Sequence, residues 1–375
     1  MNVIVYGSNH NNTLGLIRSL GEQGHKVLLM LKKDKMNFVD KSHYVNKCIY
    51  IDEETDVIKN IIEVAKRLEQ KPCLFTTGDG EATLIDEHYE DLSQYIILEG
   101  GRKNNDINRY RDKKTSNELA SEIGFNLPKT WMISSPDILP NDIYFPVFVK
   151  ANNSIHGGKN VQGIYKNYGE LKEWLFTLPK HDFPMQVQEY IDKEYEIMLQ
   201  GCSLNHGEKV ICEVANRKIR FYPHVYSAGS YSYSVQVEGN KELMQLRKLV
   251  SHYLERIGYS GLFSAEFLYC KGMFYFLEVN LRNDGTAYLS TACGCNLPDA
   301  FCCYYTGKTF NADGFKTKYY MNAFEDFHHV RNHKLALLKW LQQFWRTKCF
   351  SHFNWKDPLP YLYYFQVRKF LTCLF

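Results

Sequence analysis

The stretch that decides the fold runs from Gly261 to Gly285, GLFSAEFLYCKGMFYFLEVNLRNDG. It reads as two β-rich runs, Leu262–Tyr269 and Phe274–Leu281, joined at Lys271-Gly272, the composition of a hairpin. Strand alternation puts Glu278 and Asn280 on one face, with Arg282 two residues further on the same side. Glu266 joins them only in one register. A three-residue loop, Lys271 to Met273 with Gly272 near the left-handed region, pairs Glu266 with Glu278. A two-residue Lys271-Gly272 turn pairs Glu266 with Leu277 and throws the two carboxylates onto opposite faces. Two ionised carboxylates about 4 Å apart repel by roughly 4 kcal/mol at an effective dielectric near 20, so a facing pair calls for a cation between its members. Carboxylate and amide oxygens suit Mg²⁺, which takes few protein ligands and completes its shell with phosphate and water. Taken alone, Glu-x-Asn-x-Arg also fits a solvated hairpin face with a charged pair. The rest of the chain decides between the two.

Immediately upstream, Leu243–Ile257 has the apolar spacing of an amphipathic helix leading into the hairpin. Downstream, Thr286–Gly294 and Asp299–Thr306 read as short helices. Between Gln200 and Val237 the pattern alternates like antiparallel strands and includes Arg217 and Arg220, which fit either a clamp on a substrate carboxylate or surface arginines. Met185–Ile191 is a strand with Glu189 at its end, and a further strand opens at Glu194. Phe145–Lys150 is an apolar strand ending in a lysine that is costly to bury unpaired. A small, glycine-containing loop follows, Ala151 to Lys159, with Ser154, Gly157 and Gly158. Strand, glycine loop, strand is one way to lay backbone N–H groups over phosphates, although a surface hairpin explains the glycines equally. Asp112-Lys113 opens a helix that ends at Gly124.

The first hundred residues form a separate parallel α/β unit, with strands at Asn2–Gly7, Lys26–Leu31 and Pro72–Thr77 and helices at Thr13–Gly21 and Val57–Leu68. A dinucleotide fold is disfavoured. The segment after the first strand, Gly7-Ser-Asn-His-Asn-Asn-Thr, lacks G-x-G-x-x-G, and no acid ends the second strand. Asp79 and Glu81 follow the strand at 72–77, where open α/β sheets bind ligands, but they also fit the first turn of a helix.

The 375 residues give room for two or three domains, and 45% hydrophobic with 23% charged residues excludes a disordered chain. Eleven cysteines without a C-x-x-C pair, and a Met1 that runs directly into a strand, point to reduced thiols in a cytoplasmic protein and away from zinc. No uninterrupted apolar run of about 18 residues is present, so no spanning helix is expected. The net charge of +3 is uneven: residues 313–375 carry ten Lys/Arg and four Asp/Glu, leaving −3 on the preceding 312. A weakly acidic body argues against nucleic acid as partner, and the basic, aromatic tail has a local role. Within the tail, Val330 to Phe350 is expected to be one helix with Leu337, Leu338, Leu341, Phe344 and Trp345 on one side. That face either packs on the body or meets an anionic membrane surface.

In order, Asp112-Lys113, Lys150 with its glycine loop, Glu189-Tyr190-Ile191 with Glu194, Glu266, and Glu278-Val-Asn280-Leu-Arg282 resemble the ATP-grasp superfamily over roughly residues 1–310. The layout looks most like the bacterial carboxylate–amine ligases that include D-aspartate ligases of cell-wall cross-bridges. The resemblance implies a mixed α/β and α+β protein: a parallel pre-ATP-grasp domain at 1–100, a two-lobed ATP-grasp domain at 101–312 and a helical, aromatic extension at 313–375. It implies that Lys113 and Lys150 contact the phosphates of ATP, that the loop with Ser154, Gly157 and Gly158 closes over them, and that Glu189, Tyr190 and Ile191 line the adenine. Glu194 would bind the ribose, Glu266, Glu278 and Asn280 would hold Mg²⁺ or Mn²⁺, and Arg282 would face an acyl phosphate. Leu281 stands where many relatives have proline, and Asn283-Asp284-Gly285 follows Arg282 in place of a glycine pair. Both departures bear on the acceptor pocket.

The implied activity is ATP-dependent joining of a small carboxylate to an amine, with an amino acid and a cell-envelope precursor as substrates, in the cytoplasm at the inner face of the membrane. Two alternatives stay open: an ATP-dependent carboxylase using bicarbonate, and a module that binds nucleotide without catalysis.

Overall fold

A computed structural model describes residues 1–34, 36–52, 54–151, 162–222 and 229–374, with side chains to Gln366. The chain forms two compact units. The first comprises Met1–Asn108, Ile197–Ala265 and Val279–Phe375, and the second Arg109–Glu196 and Glu266–Glu278.

The first unit opens with β1 (Asn2–Gly7), α1 (Asn11–Gly21), β2 (Lys26–Lys32), β3 (Val45–Ile51), α2 (Val57–Lys66), β4 (Cys73–Thr76), α3 (Asp79–Glu87), α4 (Tyr89–Ser93) and β5 (Ile97–Leu98). The five strands pair in parallel in the order β3-β2-β1-β4-β5. Near-continuous apolar runs in β1, β2 and β4 suit strands covered on both faces, and Val3, Ile4, Val5, Leu29, Met30 and Phe75 are fully buried. The order reverses at β1, which has β2 on one side and β4 on the other, so the loops after β1 and β4 flank the crevice where such sheets take ligands. Gly7 lies at that point. A Cβ there would fall 2.1 Å from Thr77 Oγ1, so only glycine lets the Thr13 and Thr77 hydroxyls meet at 2.9 Å.

The second unit begins with α5 (Lys113–Ile123), capped by Asp112 and closed by Gly124 at φ 99°. Next come β6 (Thr130–Ile133), β7 (Val147–Ala151), β8 (Gln162–Tyr165), α6 (Tyr168–Thr177) and β9 (Met185–Glu189). These strands form an antiparallel sheet ordered β6-β9-β7-β8. Val147, Val149, Met185 and Val187 point into a core closed by Leu171 and Leu175 of α6. Ser154, Gly157 and Gly158 lie outside the described residues.

Returning to the first unit, β10 (Tyr195–Leu204), β11 (Lys209–Phe221), β12 (Gly229–Gln236), α7 (Lys241–Ile257), β13 (Gly261–Cys270) and β14 (Met273–Asn280) follow, with β10, β13 and β14 each passing through a unit boundary. The hairpin tip belongs to the second unit, where β13 and β14 are neighbours. Its loop is the two-residue one, with Lys271 at φ 48° and Gly272 at φ 82°, the double left-handed turn that matches strand twist. The three-residue loop is therefore replaced. Tyr269 against Phe274 at 4.8 Å and Phe267 against Phe276 at 6.0 Å fit the register this turn sets. In that register Glu266 stands opposite Leu277, and a common face for Glu266 and Glu278 requires a bulge beyond Phe276. Phe125 packs on the same aromatic face, 5.0 Å from Phe276.

The chain ends with α8 (Tyr288–Ala292), α9 (Leu297–Tyr305), β15 (Tyr319–Met321), α10 (Ala323–Arg331), α11 (Leu337–Arg346), β16 (Cys349–Phe350) and α12 (Leu359–Leu374). Within the first unit β13, β10, β11, β12, β15 and β16 are successive neighbours. The tail is thus built into a sheet. The single helix expected from Val330 to Phe350 is broken, because His333 turns left-handed at φ 54° and the chain re-enters helix at Leu337. Arg18 of α1, fully buried, donates through Nε to Asp357 Oδ2 at 3.0 Å and through Nη2 to the carbonyls of His352 and Asp357 at 2.8 and 3.0 Å. Arg220 is likewise committed, donating to Asp326 at 2.9 and 2.6 Å beside the Trp340 indole N–H, which replaces the substrate-clamp reading for that arginine. Arg217 lies over the Tyr233 ring.

Ten cysteines are described, all unbridged, and Cys73, Cys202, Cys212, Cys293, Cys295, Cys302, Cys303 and Cys349 are buried. Burial raises the Cys202, Cys212, Cys302 and Cys349 thiols and pushes Cys295 up to about 12. Thiolate is the reactive form. Burial and the nearby Asp40 likewise raise Cys48, to about 11, so a thiol reagent at pH 8 should label the partly exposed Cys270 faster than any of these thiols. Fast labelling of Cys202 or Cys302, read by peptide mass mapping, would contradict this packing.

Candidate active site

In the second unit three charged side chains converge electrostatically at the end of β7. Lys150 is the penultimate residue of that strand, paired in register with Gln186 of β9 and Gln162 of β8. Burial first and the Lys113 charge second, against the opposing Glu278 carboxylate, push its ammonium down to about 8. Lys113 is at the first position of α5, held there because Asp112 caps the helix by accepting from the Thr115 N–H at 3.1 Å. Two cations and one anion at a desolvated position form a site with surplus positive charge, the electrostatic requirement for a polyphosphate.

The end of β9 and the segment after it are fixed by hydrogen bonds to neighbouring backbone. The Glu189 N–H donates to the Lys129 carbonyl at 2.8 Å, and the Glu189 carboxylate accepts from the Lys129 N–H at 3.3 Å. The Tyr190 N–H donates to Pro146, and Ile191, buried, accepts from the Lys193 N–H at 2.8 Å. Glu194 holds the hairpin tip from both ends. Its N–H donates to the Tyr269 carbonyl at 2.9 Å and its Oε1 accepts from the Lys271 N–H at 2.9 Å.

In the first unit the loop after β14 is stitched to the carboxyl end of the parallel sheet. Asn12 donates to the carbonyls of Thr77 at 2.7 Å and Asn283 at 2.9 Å, and Asn11 to that of Gly285 at 3.1 Å. Asp284 accepts from the Thr286 N–H and hydroxyl, and Gln200 donates to Thr286 Oγ1 at 2.8 Å. Arg282 sits in this lattice. Its Nε donates to Asp79 Oδ1 at 2.7 Å and its Nη2 to Asp79 Oδ2 at 3.3 Å, while Nη1 reaches the Asn283 carbonyl. The Asn280 Oδ1 accepts from Arg282 Nη2 at 3.3 Å. Asp79 is thus more than a helix-start residue: it fixes the guanidinium from the loop after β4. The sequence left Asp79 between a ligand-side loop and the first turn of a helix, where α3 places it, and had no means of pairing it with a residue 203 positions away.

Glu278 and Asn280, two apart on β14, offer one carboxylate and one amide oxygen, a donor set that fits Mg²⁺ with phosphate and water completing the shell. Among the described residues no group of three or more His, Cys, Asp or Glu side chains gathers as a metal centre.

Residues 118–298 match the ATP-grasp domain family. The chain is 24% identical to a D-aspartate ligase of Enterococcus faecium (strain Aus0004) over 319 residues, 78% of this chain and 74% of that one. Among solved structures it resembles an L-amino acid ligase from Bacillus licheniformis, at TM-score 0.61 and 16% identity over 80% of this chain and 73% of that one. It also resembles biotin carboxylase from Campylobacter jejuni, at TM-score 0.64 and 17% identity over 84% and 74%.

Proposed function

We propose that this chain, an ATP-grasp protein by its domain over residues 118–298, is an ATP-dependent ligase that joins a small carboxylate to an amine through an acyl phosphate. The observation that carries the reading is the electrostatic coupling of buried Lys150 to Glu278, both within that domain, and to Lys113 just before it. A carboxylate is a poor acyl donor because its leaving group would be oxide. Moving the γ-phosphoryl group from ATP to a carboxylate oxygen releases ADP and gives an acyl phosphate. The amine then attacks the acyl carbon, phosphate leaves, and the amine loses a proton. Phosphoryl transfer is chiefly positioning and charge neutralisation. In this reading Lys150 and Lys113 hold the transferring phosphates and Arg282, fixed by Asp79, faces the acyl phosphate. Glu278 and Asn280 hold Mg²⁺ or Mn²⁺, joined by Glu266 where the register allows, and the ion neutralises charge on the phosphoryl oxygens. Glu189, Tyr190 and Ile191 line the adenine and Glu194 the ribose, with residues 154–158 as the closing loop.

An amino acid is the substrate class favoured by the two ligase relatives. A cell-envelope precursor as the other substrate would place the enzyme in the cytoplasm at the inner membrane face, with the tail at 313–375 as the contact. The test is phosphate release from ATP and Mg²⁺ with panels of amino acids, with and without bicarbonate. Release that depends on an amino acid supports ligation. Release that depends on bicarbonate alone supports the carboxylase reading, which the likeness to biotin carboxylase keeps in play. No release under any combination, with bound ATP, supports a binding module.

The lowered Lys150 value gives this reading a pH signature. With a value of about 8 in the free protein, Lys150 is charged below that pH and neutral above it. Phosphates favour the charged form, so nucleotide binding raises the value and takes up a proton. Affinity should fall as pH rises from 7.5 to 9.5 (roughly the window set by the free value). Calorimetry near pH 8.5 in buffers of different ionisation enthalpy should show up to about one proton taken up, and none in Lys150→Met. Stability has the opposite sign: burying the ammonium costs the fold below pH 8, and that cost fades toward the ordinary lysine value of 10.5. A pH-independent affinity would remove Lys150 from the phosphate site.

A further inference from the structure

The tail carries an apolar arc on α11 that is wider than its packing. Trp340 and Phe344 face inward, stacked at 5.2 Å, with Phe327 edge-on to Trp340 at 5.1 Å. The other half of the arc is open: Leu338 is 76% exposed and Trp345 75%. An aromatic run leads on from there, Phe344 to Phe350 at 5.0 Å, Phe350 to Phe353 at 6.2 Å and Phe353 to Trp355 at 4.7 Å, and Trp355 is 86% exposed. Scattered exposed apolar residues are ordinary, but two tryptophans and a leucine joined by one run of rings form a patch.

Charge says what covers it. From Phe327 onward the sequence has eight Lys/Arg and a single acid, Asp357. That acid is 1% exposed and spent on Arg18, so the rim of the patch receives no negative charge from its own segment. Soluble protein surfaces ordinarily intersperse both signs. An apolar helix face with tryptophans at its margin and a one-sign basic rim is the composition that anionic headgroups select. Among the described residues no helix is long and apolar enough to cross a membrane, so such a surface would lie on the bilayer.

We propose that this face docks on an anionic lipid surface, with Leu338, Trp345 and Trp355 entering the headgroup boundary and Lys339, Lys348 and Lys356 meeting the headgroups. This rests on the tail contact suggested above and gives it residues and a partner. It does not depend on the ligase chemistry.

The experiment uses full-length protein sedimented with phosphatidylcholine vesicles, with or without about one third phosphatidylglycerol, at low and high salt. Two exposed-position variants accompany it, Leu338→Gln/Trp345→Gln and Lys339→Glu/Lys348→Glu. Wild type should partition about tenfold or more in favour of the anionic vesicles, less so at high salt. Each variant should lose about tenfold of that binding with an unchanged melting temperature. Phosphate release with soluble substrates and no vesicles should be unchanged, so failure here and failure of the ligase reading are separable. The proposal is overturned by absent binding to anionic vesicles, or by equal binding of wild type and Leu338→Gln/Trp345→Gln. A wild-type dimer that this variant dissolves, without vesicle binding, would reassign the face to a second copy of the chain.

Discussion

In Arg282→Ala, turnover falls on the order of 10²–10³-fold while the protein keeps its fold. The guanidinium donates to Asp79, Asn280 and the Asn283 carbonyl, and it stands among loops at the carboxyl ends of parallel strands. Asp79 is already 42% exposed beside it, so water can take over its hydrogen bonds on removal and the stability cost is small. The catalytic cost is not, because a fixed cation beside the developing acyl phosphate has no replacement in solvent. Asp79→Asn separates positioning from charge. It keeps the shape, weakens the grip on Arg282, and should cost about tenfold in kcat with little change in KM for ATP. Glu278→Gln acts on the other side of the chemistry, keeping side-chain volume while losing charge, and should lower metal-dependent turnover far more than it lowers the melting temperature. Near-normal phosphate release in folded Arg282→Ala and Glu278→Gln would sink the assignment.

A comparable loss, in stability, is expected for Asp357→Ala. Asp357 accepts from Arg18 Nε at 3.0 Å, the Ser42 hydroxyl at 2.9 Å and the His43 N–H at 3.1 Å, with Arg18 and Asp357 both buried. Breaking a buried pair by deleting one member leaves the other charge uncompensated and costs about 3–5 kcal/mol. Urea unfolding at neutral pH measures it. Arg18→Leu combined with Asp357→Leu should recover much of the loss, because the penalty arises from the stranded charge more than from the missing attraction. A single variant that unfolds at the wild-type midpoint would show that the tail is held by other contacts.

The parts of this protein legible in the sequence are those written in short-range patterns. β1 and β2 begin where their apolar runs begin, α5 starts after Asp112 and stops at Gly124, and α7 ends at Ile257 before Gly258, because caps and periodicity are local. β3 was not legible: Asn46 and Lys47 face water on an edge strand, and no apolar alternation marks it. The hairpin register turned on whether Met273 belongs to the loop or the strand, a difference of one residue that composition does not resolve. Lys150 and Glu278 could be placed near strand ends, and Lys113 at a helix start, because apolar runs and caps are local. The Asp79–Arg282 and Arg220–Asp326 pairs were not legible. Each joins residues more than a hundred positions apart, and a surface arginine and a buried one look the same in a sequence.

The Arg18–Asp357 contact has a consequence for how the molecule is made. The two residues are 339 positions apart. At a synthesis rate of 5–20 residues per second, Arg18 leaves the ribosome about 20–70 s before its counter-ion exists. During that interval the Arg18 guanidinium lacks the carboxylate it is buried against, so α1 is held less firmly than in the finished chain. Synthesis halted before residue 357 yields a chain whose opening domain is complete in sequence yet still lacks an anion at its centre. The opening domain thus reaches its full stability only once the tail has been made, by an amount on the order of the cost of the stranded charge.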